Sequence, residues 1–245
     1  MFINTIFFVP RMLLKERFDG SVLAMLMGVV IGSTFAILFT KAMGRFPGEG
    51  IPEIMERSIP RLIRVPILLF LGFMWAIAGS VILLAFSYIT IRFLNPETNQ
   101  TVLLLCFCGI CWWAASFRPI ALLNVSEFII CLNVPFLAYI TYKAFTSNWF
   151  DWDSVLILSD YTLKLPSWLS IGAATYTFTG YINMAIYNRA FNNTKIRGLW
   201  TIPIVGSAVL FSSVLIPIGL LGIDSVDNYL YTWISSTDTL RMKFG

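Results

Sequence analysis

Histidine is absent from the 245-residue chain, and with it the side chain that most often serves as a general base or metal ligand near neutral pH. The sequence also contains no Gly-rich phosphate loop, and no pair of carboxylates at helical spacing lies within an apolar run. A hydrolytic or redox site therefore has no candidate residues. We expect neither enzymatic activity nor a cofactor.

Charged side chains are scarce as well, at 12% of residues, whereas soluble domains contain about a quarter. Apolar residues make up 58% of the chain, and the mean hydropathy is +0.78. A soluble globule of this size could not hide so much apolar surface from water. The net charge of +4 is scattered over short loops rather than gathered into a stripe. We therefore expect the lipid bilayer, and no nucleic acid, as a partner.

Cysteine is limited to four residues, all of which lie inside apolar runs: Cys106, Cys108, Cys111 and Cys131. The first three do not share one helix face, and no histidine could complete a tetrahedral site. We interpret them as small apolar packing residues and expect no metal.

Charge-free apolar runs mark the predicted membrane spans, since about 20 such residues cross the hydrocarbon core of a bilayer. Residues 1–10 are apolar but too short to span, so we expect half a helix there. The runs of full length are 21–40, 65–91, 98–117, 119–142, 165–188 and 198–223, and only that over 119–142 is broken by a charged residue, Glu127. The prediction is an all-α polytopic membrane protein, a single domain over 1–245 with about six transmembrane helices plus an N-terminal half-helix.

The connectors between the spans differ in character. Residues 41–64 begin with Pro-Gly turn signals, and a charged amphipathic stretch expected at the membrane interface follows. Residues 143–164 combine acidic residues with Trp149 and Trp152, as expected for an aromatic-anchored outer loop. The basic residues of 41–64 and 189–197 indicate, by the positive-inside rule, that both loops lie on the cytoplasmic side.

The segment 170–183, SIGAATYTFTGYIN, places Ser, Thr, Tyr, Asn and Gly in the middle of a predicted span. Such residues are costly in lipid unless they face protein or water, and Thr175, Thr177, Thr179 and Gly180 have poor helix propensity. One interpretation is a broken helix of the kind that transporters use to bind substrates. The other is a continuous helix whose small residues pack against a neighbour. Both interpretations stay open.

Glu127 and the prolines are less specific signals. An acidic residue near a span suggests a function by default, but Glu127 follows Arg118 by only nine residues, which also fits an interfacial or ion-paired role. Pro10, Pro135 and Pro203 lie in or beside apolar runs, where proline removes a backbone donor and tends to kink a helix.

Short stretches along the chain occur in an order typical of one family of membrane proteins. They are Phe8-Val9-Pro10, Arg45-Phe46-Pro47-Gly48-Glu49-Gly50 with the following IPEIMER, Asn124-Val125-Ser126-Glu127, Phe178-Thr179-Gly180, Pro217-Ile218-Gly219-Leu220-Leu221-Gly222 and Leu230-Tyr231-Thr232-Trp233. In these stretches the chain resembles the spore germination permeases. These are the B-type subunits of nutrient germinant receptors, within the amino acid–polyamine–organocation transporter superfamily.

The resemblance implies two inverted repeats of five helices, with a ligand pocket between broken helices one and six. Residues 1–143 would form a near-complete first repeat and 165–245 a partial second one. A half-helix N-terminus would offer N–H groups to the carboxylate of a small nutrient such as an amino acid. The residues implied around the pocket are Asn4, Thr5, Thr175, Tyr176, Thr177, Phe178 and Gly180. Structural or coupling roles are implied for Pro10, Pro47, Gly48, Asn124 and Glu127.

The resemblance further implies a large A-type membrane subunit and a C-type lipoprotein as partners in the spore inner membrane. The family has ten helices, and counterparts of half of helix one and of everything from helix eight onward are missing here. Asn124 also replaces the usual arginine. Three hypotheses follow: a germinant-receptor subunit that senses a nutrient, an amino acid secondary transporter of the plasma membrane, or a truncated, non-functional permease remnant.

Overall fold

The computed structural model describes residues 8–94, 96–191 and 198–244, and within these ranges every regular element is a helix. The α-helices are α1 (Val9–Lys15), α2 (Ser21–Met43), α3 (Ile51–Ser58), α4 (Arg61–Ile89), α5 (Gln100–Ala115), α6 (Pro119–Phe145), α7 (Trp152–Asp160), α8 (Trp168–Tyr176), α9 (Met184–Tyr187), α10 (Thr201–Leu221) and α11 (Thr232–Phe244). Short 3-10 turns occur at Thr179–Asn183, Asn188–Ala190 and Val226–Asn228, and a π turn at Thr90–Leu94. The all-α prediction is confirmed for this part of the chain.

Among the described residues, four helices are long and apolar enough to cross a bilayer: α2, α4 extended by its π turn, α6 and α10. They correspond to the first, second, fourth and sixth predicted spans. An all-helical chain with four such helices is compatible with a multi-pass membrane protein.

The other two predicted spans are not single long helices. The run 98–117 forms the 16-residue helix α5, which begins after Asn99, whose side chain accepts a hydrogen bond from the backbone N–H of Thr101. At about 1.5 Å per residue α5 extends about 24 Å, less than the roughly 30 Å of a hydrocarbon core. The run 165–188 is divided into α8, a 3-10 turn and α9. The structure therefore does not confirm six full spans.

At the N-terminal end, Pro10 lies in the first turn of α1 rather than at the end of a helix. Proline suits this position because the backbone N–H it lacks would have no partner within the helix. The predicted half-helix over 1–10 is described only from residue 8. Asn4 and Thr5 lie outside the described residues.

The chain divides into two compact units, each described here by itself. The first comprises the described parts of Met1–Arg45, Ile130–Met184 and Lys195–Gly245. In it α2 packs along α8 and α10, and α1 contacts α8. The buried face of α2 carries small residues at every fourth position, Ala24, Gly28, Gly32 and Ala36, which let the backbone of α8 come close.

The second unit comprises the described parts of Phe46–Ile129 and Ala185–Thr194. Helix α3 lies within the charged amphipathic stretch of 41–64, and it is followed by α4, which lies against α5. Most apolar side chains of α4 and α5 are exposed. The predicted division into repeats at 1–143 and 165–245 stays a prediction.

Candidate functional site

The apolar segment 165–188 changes its hydrogen-bonding pattern at Thr177, inside the stretch 170–183. Helix α8 ends at Tyr176, and a 3-10 turn begins at Thr179. The backbone N–H of Phe178 bonds to the carbonyl of Thr175 at 3.0 Å, a three-residue step instead of the α-helical four. The hydroxyl of Thr179 donates to the carbonyl of Tyr176 at 2.7 Å and supports the tightened turn. The helix is therefore interrupted, as one of the two sequence interpretations predicted.

The interruption keeps a right-handed backbone. Thr177 has φ −51° and ψ −36°, and Phe178 has φ −89° and ψ −8°. Carbonyl and N–H groups thus remain largely paired within the turn, and the chain does not open into an extended segment. Any group that could hold a ligand at this turn is consequently a side chain rather than a row of free backbone amides.

Phe178 fixes the position of the turn. Its ring is 1% exposed and lies between two glycines, Gly32 of α2 and Gly206 of α10. A Cβ added at Gly32 would lie 2.6 Å from a ring carbon of Phe178, and one added at Gly206 would come at least as close. The aromatic ring therefore fills a space that exists only because both neighbouring helices carry glycine there.

Two threonine hydroxyls just before Phe178 in the chain have no hydrogen-bond partner among the described residues. The side-chain oxygens of Thr175 and Thr177 are buried, and neither makes a hydrogen bond within the described residues. Thr177 is fully buried, whereas Tyr176 and Gly180 are exposed. A buried hydroxyl without a partner is costly. These two groups are therefore the polar feature of the turn that could accept or donate a hydrogen bond to a bound molecule.

A carboxylate lies at the N-terminus of α8. Ser167 caps the helix by accepting a hydrogen bond from the backbone N–H of Ser170 at 3.1 Å. The hydroxyls of Ser167 and Ser170 both donate to Glu16, the latter at 2.6 Å. These two bonds, that of Ser167 first, hold the pKa of Glu16 below its usual value. The sequence does contain a signal for this helix start, a serine after Pro166 that opens an apolar run. No pattern in the sequence identifies Glu16 as the partner of that serine.

An ion pair between a buried arginine and a half-exposed aspartate accompanies this cap in the same unit. Arg17 is 7% exposed, and one of its terminal nitrogens lies 2.5 Å from a carboxylate oxygen of Asp227. The same nitrogen donates to the carbonyl of Leu14 at 2.9 Å, and the guanidinium lies 4.6 Å above the ring of Phe18. The segment before α2 and the segment after α10 therefore meet here, a contact that sequence analysis did not identify.

In the second unit, the Pro47-Gly48 turn is held by the residues that follow α9. Gly48 adopts φ +78°, a conformation favoured by glycine, and its N–H bonds to the carbonyl of Phe191 at 3.1 Å. The buried amide of Asn188 donates to the carbonyls of Phe46 and Glu49 at 2.7 and 2.8 Å. The predicted turn is confirmed, and its partner Asn188 was not predicted.

A charged contact completes this arrangement. Arg189 reaches both carboxylate oxygens of Glu53, at 3.0 and 2.7 Å, while the backbone N–H of Gly50 bonds to Glu53 at 2.9 Å. Burial raises the pKa of Glu53, but the bonds from Arg189 and Gly50 outweigh it, so this pKa lies below its usual value. The two loops assigned to the cytoplasmic side, 41–64 and 189–197, thus touch through their described residues.

Asn124 and Glu127 belong to the second unit. Both are exposed on α6, and Glu127 makes no ion pair with another described residue. The four cysteines are also exposed rather than packed in an interior. Within the described ranges no cluster of three or more His, Cys, Asp or Glu side chains could hold a metal.

Comparison of the chain with known protein families, with curated proteins and with solved structures finds no match. The resemblance to the spore germination permeases therefore stays an inference from the short stretches quoted above. The function of the interrupted helix therefore has to be inferred from its fold and its contacts alone.

Proposed function

We propose that the chain is a multi-pass membrane subunit of a nutrient germinant receptor, which binds a small nutrient such as an amino acid and thereby triggers spore germination. The proposal includes about six spans with an N-terminal half-helix, a partial inverted-repeat bundle, and a position in the spore inner membrane beside an A-type subunit and a C-type lipoprotein.

The observation that supports the proposal most is the interruption of the apolar segment 165–188 at Thr177 and Phe178. It lies where the resemblance implies the break of helix six, and two buried threonine hydroxyls without partners accompany it. In an apolar surrounding a hydrogen bond to such a hydroxyl has no water to compete with it. A polar nutrient is the kind of molecule that could use both hydroxyls.

Deletion of the gene in its host tests the biological assignment. We expect spores without the gene to lose the optical-density response to one nutrient of an amino acid and sugar panel, and the 245-residue chain to restore it. Normal responses to every nutrient, or a host that forms no spores, would contradict the proposal.

A single substitution tests the site. Thr177→Val removes the hydroxyl and preserves the shape of the side chain, and we expect it to raise the nutrient concentration for half-maximal response about tenfold, the equivalent of one hydrogen bond. Because the hydroxyl has no partner among the described residues, its loss should not lower stability. Thr146→Val is the matched control, since that exposed hydroxyl only bonds back to Tyr142 at 2.8 Å. Equal responses of the two variants would place the nutrient elsewhere.

Measurement of nutrient uptake distinguishes a secondary transporter from a sensor. Proteoliposomes that contain the purified chain and the identified nutrient should show binding without saturable uptake if the chain is only a sensor. Saturable uptake would favour the transporter. A chain that neither binds nor transports would favour the truncated remnant.

A further inference from the structure

The loop between α7 and α8, together with the first residue of α8, leaves three large apolar side chains almost fully exposed. Leu163, Leu165 and Trp168 are 93%, 89% and 89% exposed, and no other large apolar side chain among the described residues exceeds these values. A free loop with such side chains would fold them inward or become disordered. This one is held in place by specific contacts.

The backbone of the loop is fixed against Gly20. Gly20 has φ +76°, and a Cβ added there would lie 3.0 Å from the backbone nitrogen of Pro166, so the two segments are in direct contact. Lys164 reinforces the contact with an ion pair to Asp19 at 3.6 Å, and its ammonium group lies 4.9 Å above the ring of Tyr161. The lysine between the two leucines is thereby engaged by protein, and the leucines are left outward.

The position of Gly20 sets the depth of the loop in a membrane. Gly20 directly precedes α2, whose 23 residues extend about 35 Å, slightly more than the roughly 30 Å of the hydrocarbon core. Residue 20 therefore lies at the edge of the hydrocarbon, and the loop that touches it lies at the same level. Trp168 opens α8 at this level, as tryptophan does in the aromatic belts of membrane proteins.

We propose that residues 163–168 form a lipid-interface anchor, in which Leu163, Leu165 and Trp168 insert between the headgroups and upper acyl chains of the leaflet at the N-terminal end of α2. The occupant of this surface is lipid because the surface continues the end of a membrane-spanning helix. The charged groups beside it, Lys164 and Asp19, pair with each other instead of facing outward alone. The anchor adds to the previously predicted Trp149 and Trp152, which are also exposed, and does not depend on nutrient binding.

A fluorescent label tests the anchor. In a background that replaces the four cysteines, Cys106, Cys108, Cys111 and Cys131, by serine, Leu165→Cys carries an environment-sensitive nitrobenzoxadiazole label in phosphatidylcholine vesicles. Asp153→Cys, at an exposed polar position of α7, is the matched control. We expect a blue-shifted emission at residue 165, quenching by lipids brominated on the upper acyl chain, and a depth of about 5–10 Å below the headgroup surface.

Two results would overturn the anchor. Quenching by aqueous iodide to the same extent at residues 165 and 153 would place the loop in water. Protection from both iodide and brominated lipid would mean that protein, a second copy or a partner, covers it. A second variant, Trp168→Phe with the native cysteines kept, guards against a folding defect of the labelled protein. We expect it to lose part of the tryptophan fluorescence that brominated lipid quenches. An unchanged quenched fraction would again contradict the anchor.

Discussion

Helices α2 and α4 carry the same sequence pattern and differ in what they contact. Each has small residues at every fourth position within a long apolar run: Ala24, Gly28, Gly32 and Ala36 in α2, and Gly72, Ala76 and Ser80 in α4. In α2 this row is buried against α8, and a Cβ at Gly28 would lie 2.8 Å from the carbonyl carbon of Ala174. In α4 the row is exposed, and nothing lies within 4 Å of a Cβ added at Gly72 or Gly79.

The difference shows that a row of small residues permits close helix packing without causing it. Lipid tails are as apolar as leucine, so an apolar face gains little by leaving lipid for another apolar helix. What α2 has in addition is a shaped partner, the ring of Phe178, which fills the gap that Gly32 and Gly206 leave. Close packing in a membrane depends on such a fit, through many weak contacts.

The largest loss of stability is expected when the ring of Phe178 is removed. Phe178→Ala should lower the free energy of unfolding by about 4 kcal/mol, because the two glycines that surround the ring leave a cavity which cannot close. Phe73→Ala on the exposed part of α4 is the control, and we expect a change below about 0.5 kcal/mol, since that ring contacts lipid or detergent before and after unfolding. Titration with dodecyl sulfate in mixed micelles measures both. Equal losses would mean that α4 is packed as tightly as α2.

A smaller effect is expected when a single methyl group is added to each helix. Gly32→Ala should destabilise the chain by about 1–3 kcal/mol, because the new Cβ collides with the ring of Phe178. Gly72→Ala should change stability in the opposite direction, by up to about 1 kcal/mol, because alanine is the better helix former and meets nothing there. The same titration measures both variants. Destabilisation by Gly72→Ala would show that another helix packs against α4 at Gly72.

Part of this architecture could be predicted from the sequence. Charge-free runs located the long helices, because an uncompensated charge in lipid is costly whatever the tertiary structure. The loops 41–64 and 189–197, which their basic residues predict on the cytoplasmic side, contact each other through Glu53 and Arg189, although the side itself stays a prediction. The weak helix formers around Thr177 marked the place where the segment 165–188 is interrupted, but they left a continuous helix equally open.

The rest could not be predicted because it depends on contacts between distant parts of the chain. Glu16 and Ser167 are 151 residues apart, and Arg17 and Asp227 are 210 apart. No local pattern links such pairs. Nor could composition show that α2 is packed and α4 is not, since the ring that packs against α2 is Phe178, in the turn that follows α8. The 16-residue length of α5 was missed because a charge-free run can outlast the helix inside it, here bounded by a capping Asn99.

The smallest effect is expected from a comparison of two carboxylates, Glu16 and Glu127. The hydroxyls of Ser167 and Ser170 hold the pKa of Glu16 below its unfolded value, so the charged form stabilises the folded chain above that value, and the stabilisation is lost as pH falls through the folded pKa. Glu16→Gln should therefore cost about 1 kcal/mol at pH 7, and the difference from the unsubstituted chain should disappear at an acidic pH at which the Glu16 carboxyl is protonated in the folded chain as well. Glu127→Gln, on the exposed face of α6, should cost less than about 0.5 kcal/mol at pH 7. The measurement is the dodecyl sulfate midpoint at both pH values. A Glu16→Gln cost that persists at the lower pH would show that the shape of the side chain, and not its charge, holds the N-terminus of α8.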